Sequence, residues 1–292
     1  MPSPPSPLGL DAVRRALAED RATADITTRL VGPAGNRPAE ARIIAEGRFV
    51  VAGVPVLATV FRQLDSAAAV TPSVTEGTWV DAGAIIAVAR GSAAALLAGE
   101  RVALNFLQRL SGVATLTRRA VDAVKGTPAK ITHTRKTTPG LRDLELYAVR
   151  VGGGVANRAS LADAVLWKDN HWALLAQDGG SLRDALRAVP AAAPIIVEVE
   201  SDAQLEAALA AGVTHLLVDN QPPKRLATWA QRAGPAVTIQ ASGGITVKSA
   251  RAYAEAGAHL IAMGVLTHSA PAAPIRCEID APSPSRVSSQ GT

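Results

Sequence analysis

Polar and apolar residues alternate in blocks through the second part of the chain. Apolar runs recur at AKITHT (129–134), DAVLWK (163–168), PIIVEV (194–199), THLLVD (214–219), AVTIQA (236–241) and AHLIAM (258–263). Stretches of helical period separate them, at 142–151, 181–189, 202–211, 222–233 and 246–256. Near-continuous apolar strands alternating with helices predict a parallel sheet with covered faces. Such a sheet is either doubly wound or closed toward an α/β barrel. Nearly every run ends in polar residues or glycine: Thr134-Arg135-Lys136, Lys168-Asp169-Asn170, Glu198 and Glu200, Asp219-Asn220, Ser242-Gly243-Gly244, and Gly264. A barrel gathers all these ends on one rim, where its active sites lie, whereas an open sheet concentrates them at a switch point. The pattern favours the barrel.

The first part has a different rhythm. A helical pattern covers Ala12 to Ala18, and Asp25-Ile26-Thr27-Thr28 reads as a turn or cap. Strands are predicted at ARIIAEG (41–47), FVVAGV (49–54) and AIIAVAR (84–90), with turns at Glu76-Gly77-Thr78 and Asp81-Ala82-Gly83. This reads as a small α+β domain. From about Ala93 a long helix is expected, with Ala103, Phe106, Leu107, Leu110 and Ala114 on one apolar face. Arg101, Asn105 and Gln108 fall on another face, as a solvated stripe or as a helix presenting an arginine to a ligand. The expected division is 1–112, 113–270 and a return segment 271–292, whose Pro/Ser-rich end APSPSRVSSQGT reads as disordered.

Composition narrows the function classes. The chain has 292 residues, 48% apolar, enough for a large core, while aromatics at 3% argue against base-stacking nucleic-acid modules. Net charge is +5, but the cations are scattered, with pairs at Arg118-Arg119 and Arg135-Lys136; this favours a small anionic ligand over nucleic acid. No apolar run reaches bilayer length, and the start lacks the order of a secretion signal, so a cytoplasmic protein without a membrane partner is expected. The single Cys277 excludes an internal disulfide and a cysteine-based zinc site.

The rim chemistry is the most informative feature. Arg135, Lys136 and Lys168 share it with Glu198, Glu200 and Asp219. These are either structural ion pairs, or cations for an anionic substrate beside carboxylates for a hard divalent metal such as Mg²⁺. Ser242-Gly243-Gly244 offers backbone N–H groups for phosphate before the next helix. Together they point to a phosphorylated substrate with a pyrophosphate-like group. Gly152-Gly153-Gly154 before Arg158 is a flexible loop or a place of close backbone approach, and no GxGxxG follows a strand. Of the histidines, His215 and His259 read as packed, and His171 lies at the rim.

These blocks resemble the quinolinate phosphoribosyltransferase family. The resemblance rests on Arg135-Lys136-Thr137-Thr138-Pro139-Gly140-Leu141-Arg142, Tyr147-Ala148-Val149-Arg150, Gly152–Gly154 and Lys168-Asp169-Asn170-His171. Glu100–Gln108, Glu198-Val199-Glu200, Ala241–Ile245 and Leu266–Pro271 add to it, and it runs from about Ala18 to Pro274. It implies an N-terminal α/β sandwich domain and an open six-stranded, TIM-like α/β barrel. It implies a homodimer or dimer-based hexamer, with Arg101 reaching a neighbour's site. The implied reaction joins quinolinate to phosphoribosyl pyrophosphate, giving nicotinate mononucleotide, CO₂ and pyrophosphate in NAD biosynthesis. The implied roles are catalysis by Lys136, Lys168, Glu198 and Asp219, with Mg²⁺ held by Glu198 and Asp219. Substrate contacts fall to Arg101, Arg135, Lys136, Asn157, Arg158 and Lys168, and phosphate contacts to Ser242, Gly243, Gly244 and Gly264.

The chain departs from the family pattern at some positions. Asn157 stands where His is usual, Gln240 where Glu is usual, and His133 where Asp is usual. The donor apparatus is expected intact and the acceptor pocket altered, with Gln240 removing a carboxylate near the phosphate rim. That leaves room for another aromatic or heteroaromatic acid, or for a non-catalytic protein that binds a phosphoribosyl ligand.

Overall fold

A computed structural model describes residues 8–190 and 192–280. The chain divides into one unit of Met1–Thr115 with Pro271–Thr292, and a second of Leu116–Ala270. In chain order the first part carries α1 (Leu10–Glu19), α2 (Ile26–Leu30), β1 (Pro38–Ala45), β2 (Phe49–Val50), α3 (Val54–Leu64), β3 (Ala69–Pro72), β4 (Trp79–Val80), β5 (Ile85–Ser92) and α4 (Ala93–Ala123). Then follow β6 (Lys130–Thr132), α5 (Arg142–Val151), β7 (Val165–Trp167), α6 (Asp169–Gln177), α7 (Leu182–Leu186), β8 (Ile195–Val199), α8 (Asp202–Ala210) and β9 (His215–Asp219). The series ends with α9 (Pro223–Ala233), β10 (Thr238–Ser242), α10 (Val247–Glu255), β11 (Leu260–Ala262), α11 (Val265–His268) and β12 (Ile275–Asp280).

The first unit is an antiparallel sheet in the order β12-β1-β5-β3, with β2 and β4 as a separate ribbon. Asp25 caps α2 by accepting the Thr27 N–H at 2.9 Å, as its position in the sequence led one to expect. The run predicted as a strand over 49–54 is strand only at Phe49–Val50. The chain turns at Gly53 (φ 110°), where a Cβ would come within 2.9 Å of Leu110, and Pro55 opens α3. The Glu76 carboxylate accepts the N–H groups of Gly53 and Val54 and so satisfies the start of α3. On α4, Arg101 and Asn105 are exposed. Gln108, expected on the same polar stripe, is half-buried and donates to the Ile275 carbonyl at 2.9 Å. It therefore anchors the return strand.

The second unit is a parallel sheet in the order β6-β11-β10-β9-β8-β7. β7 through β11 run in chain order, and β6 joins at the β11 side. That order is cyclic, as in a barrel, and open between β6 and β7. Ile131, Val197, Val199, Leu216, Ile239, Ala241 and Ile261 are buried. The free side of β6 carries a strand-like segment. Val155 makes a parallel bridge to Thr132 and donates to the Ile131 carbonyl, while the Thr132 hydroxyl donates to the Val155 carbonyl, both at 2.9 Å. Helices α6 and α11 here, and α2 and α3 in the first unit, were not expected from the pattern. The Pro/Ser-rich end, 281–292, lies outside the described residues.

Candidate active site

The turn after β6 explains why Thr134–Gly140 mixes cations, hydroxyls and Pro-Gly. The hydroxyls build the turn and leave the cations outward. Thr134 Oγ1 accepts the Lys136 N–H at 3.1 Å, and the Thr137 N–H donates to the Arg135 carbonyl at 3.0 Å. Thr138 donates its N–H and its hydroxyl to the two oxygens of Glu145, at 3.0 and 2.7 Å; Glu145 is fully buried on α5. Arg142 Nε donates to Thr137 Oγ1 at 3.1 Å, and the Thr267 hydroxyl donates to the Lys136 carbonyl at 2.7 Å. Lys136 is exposed, with its stem beside Gly264 and His268. Arg135 is half-buried, and its Nε has no hydrogen-bond partner among the described residues.

The acidic side comes from β8 and β9. Residues two apart on a strand share a face, so Glu198 and Glu200 point the same way. Register places Ser242 beside Asp219 and Glu198 beside Leu217, and one carboxylate oxygen from each of Glu198, Glu200 and Asp219 lies within 4.8 Å of the others. The alternation of Glu198 and Glu200 carries this signal in the sequence, although the family resemblance implies the metal role for Glu198 and Asp219 alone. Lys168 Nζ stands 3.9 Å from Glu198, and half its side chain is exposed, so the pair is only weakly held. Burial pushes the Glu198 carboxyl above its ordinary value of 4.5; Lys168 opposes the shift, and Asp219, Asp169 and Glu200 add to it.

Local structure fixes these groups. Gln204 Oε1 accepts the N–H groups of Glu200 and Ser201 at 2.8 and 3.2 Å, capping α8. Gln221 Nε2 donates to the carbonyls of Glu200 and Asp219 at 3.3 and 3.1 Å and ties the two strand ends together. Trp172 Nε1 donates to the Glu198 carbonyl at 2.9 Å, so α6 is tied to β8. His171 Nδ1 accepts the Lys168 N–H at 2.9 Å, which leaves its proton on Nε2. Gly243 (φ 95°) and Gly244 (φ 57°) form the turn after Ser242, and Gly243 has no room for a Cβ because Asn220 lies against it. Gly264 begins α11.

Arg158 belongs to the same rim. Its guanidinium donates to the Ala164 carbonyl at 3.3 Å. Burial first, then the Arg135 charge, lowers its pKa below the ordinary guanidinium value, against the pull of Glu198 and Asp163. Two of the departures from the family pattern meet here. The Asn157 N–H donates to His133 Nε2 at 3.0 Å and its Nδ2 donates to the His133 carbonyl at 3.2 Å. No sequence signal announces this contact, since the residues are 24 apart. The third departure is corrected by position. Gln240 is buried, and its Oε1 is 3.0 Å from His215 Nε2, so its side chain is turned back along the sheet and supplies nothing to the phosphate rim. Among the predicted site residues, Lys136, Lys168, Arg135, Glu198, Asp219, Ser242, Gly243, Gly244 and Gly264 lie at or just past strand ends of the second unit, whereas Asn157 and Arg158 lie between α5 and β7, after the Val155 bridge to β6. Arg101 belongs to the first unit.

Models of the quinolinate phosphoribosyl transferase N-terminal and C-terminal domains match residues 25–111 and 113–277. The chain belongs to the quinolinate phosphoribosyl transferase family. Relatives within it include the nicotinate-nucleotide pyrophosphorylase [carboxylating] of Mycobacterium leprae, 43% identical over 89% of this chain and 93% of that one. The probable nicotinate-nucleotide pyrophosphorylase [carboxylating] of Bacillus subtilis is 41% identical over 86% of each chain. Among solved structures of the family, NadC from Streptococcus pyogenes aligns with a TM-score of 0.87 at 32% identity, over 95% of this chain and 99% of that one.

Proposed function

We propose that this protein is a quinolinate phosphoribosyltransferase of NAD biosynthesis. The observation that carries the reading is the rim itself. Arg135, Lys136 and Lys168 stand just past strand ends, and Arg158 in the segment after the Val155 bridge, with the Glu198, Glu200 and Asp219 trio and the Ser242-Gly243-Gly244 turn. Its relatives carry the matching enzyme name over most of their length.

Each group has a task in this reading. Lys136, Lys168 and the backbone of the Ser242–Gly244 turn bind the donor's phosphates and place fixed positive charge where pyrophosphate departs. Arg135 and Arg158 clamp the acid's carboxylates, for which planar guanidinium forks are suited. Arg101 of a neighbouring copy completes that clamp in a homodimer or dimer-based hexamer, acting in the cytoplasm. The C–O bond from the anomeric carbon to pyrophosphate breaks, and the ring nitrogen forms the new C–N bond. The nitrogen is then cationic. The adjacent carboxylate leaves as CO₂; its electron pair stays on the ring carbon beside N⁺, which takes up a proton.

The acidic trio fits a hard divalent cation. Its donors are all carboxylate oxygens; burial above all raises the pKa of Glu198, Lys168 opposes the rise, and Asp219, Asp169 and Glu200 add to it. Glu198, Glu200 and Asp219 would hold Mg²⁺, which when bound neutralises charge on the pyrophosphate.

The test is incubation with phosphoribosyl pyrophosphate, Mg²⁺ and quinolinate, with nicotinate mononucleotide followed by mass spectrometry. Product is expected, and a chelator should abolish it. No product while the donor still binds would overturn the reading and favour a second one: an enzyme of the same family with another aromatic acid as acceptor. The engagement of the Asn157 amide with its neighbours is the observation that would support it.

A further inference from the structure

We propose that His133 and Asn157 act as one positioning unit that fixes Arg158 for the acceptor acid, so that acid affinity depends on the pair and not on Asn157 alone. The inference rests on the phosphoribosyltransferase reading.

The polar groups of Asn157 are engaged locally. Its Oδ1 accepts the Arg158 N–H at 2.8 Å, its Nδ2 donates to the His133 carbonyl, and its N–H donates to His133 Nε2. Position 157 therefore serves the acid through Arg158 and not through its own amide. His133 is 1% exposed at the end of β6, and burial favours the neutral ring. A ring that accepts at Nε2 carries its proton on Nδ1, a buried atom with no well-formed hydrogen bond among the described residues and only the Thr134 backbone to ease it. A buried donor so weakly paired is costly, and here it accompanies the one tautomer that can seat the Asn157 N–H.

The seat matters because the segment has few other ties to β6. Val155 is bridged to Thr132, and the Arg158 guanidinium is held by the Ala164 carbonyl. Between those points the His133–Asn157 contacts set where the chain turns away from the strand. Arg158 leaves that turn within electrostatic reach of Arg135 and Glu198. Two cations held together in this way suit a planar dianion better than a monoanion. Both ends of the contact differ from the residues usual in the family, Asp at 133 and His at 157. An imidazole placed at 157 alone would meet the His133 ring. An aspartate at 133 alone would be a buried carboxylate whose partner is an amide.

Five proteins test this: wild type, H133A, H133D, N157H and the double variant H133D/N157H. The measurements are KM for quinolinate at saturating donor and KM for phosphoribosyl pyrophosphate at saturating acid. Each single variant should raise the quinolinate KM about tenfold or more, with the donor KM moving less than about twofold. The double variant should return the quinolinate KM to within about threefold of wild type. Additive effects in the double variant would overturn the proposal. So would an unchanged quinolinate KM in H133A, an improved one in N157H alone, or a donor KM that rises in step and so reports general loss of structure. Wild-type turnover of quinolinate tests the activity reading separately. Were the wild type inactive on quinolinate, thermal unfolding midpoints across H133D, N157H and the double variant would still decide the pair: non-additive midpoints keep it, and additive ones remove it.

Discussion

Two imidazoles, His133 buried and His215 half-buried, make stability depend on pH. His133 and His215 both have pKa values lowered from 6.5, chiefly by burial; a Thr134 backbone hydrogen bond opposes the shift at His133 and the Gln240 hydrogen bond opposes it at His215, while Arg150 and His259 respectively add to it. The unfolded chain therefore binds more protons than the folded one below about pH 6.5. Their contribution is fully present above that value and is lost as pH falls through it toward the lowered folded values. The midpoint of thermal unfolding should drop between about pH 7.5 and pH 5.5. His133→Asn combined with His215→Asn should flatten that slope, even at the cost of a lower midpoint overall. A slope unchanged by the two substitutions would place its origin elsewhere. The same residue scale shows the limit of reading single positions. Gln240 in sequence looked like a lost rim charge, yet its amide faces His215. Which way a side chain turns along a strand follows from its partners, and those are 25 residues away.

At the scale of elements, turns set the site. Gly243 sits at φ 95° with Asn220 against the place a Cβ would occupy. Gly243→Ala is expected to cost about 1–3 kcal/mol from backbone strain alone. It should also weaken donor binding more than acid binding, because the turn between β10 and α10 must shift; calorimetric titration of each substrate reads the difference. The barrel strands were legible in the sequence because parallel strands buried on both faces read as apolar runs closed by polar ends. The helix α3 was not, since Val54, Val56 and Val60 look like strand residues and burial of most of the helix, Val56 to Phe61 included, overrides that preference. The short α6 has no buried residue and therefore no apolar face to betray it. The strand β12 did carry a signal, the alternation of Ile275-Arg276-Cys277-Glu278-Ile279-Asp280. The family resemblance implied what spacing could not: an assignment of the rim groups between a donor and an acid.

For the whole molecule, the chain returns to its first unit at the end. β12 pairs with β1 from Ala45↔Ile275 to Glu40↔Asp280, and Arg42 reaches Asp280 at 2.8 Å and Glu278 at 3.3 Å. A protein truncated after Ala273 should leave the β1 edge unpaired and lose stability by several kcal/mol, with aggregation as the visible outcome in size-exclusion chromatography. A soluble monodisperse truncation would show that β12 is dispensable. The same pairing imposes a timetable on synthesis. β1 leaves the ribosome early, and its outer partner leaves only after every strand of the second unit. At ordinary translation rates the open edge waits on the order of ten seconds or more. A nascent chain of this kind is a natural client for a chaperone that shields exposed β edges until the last strand arrives.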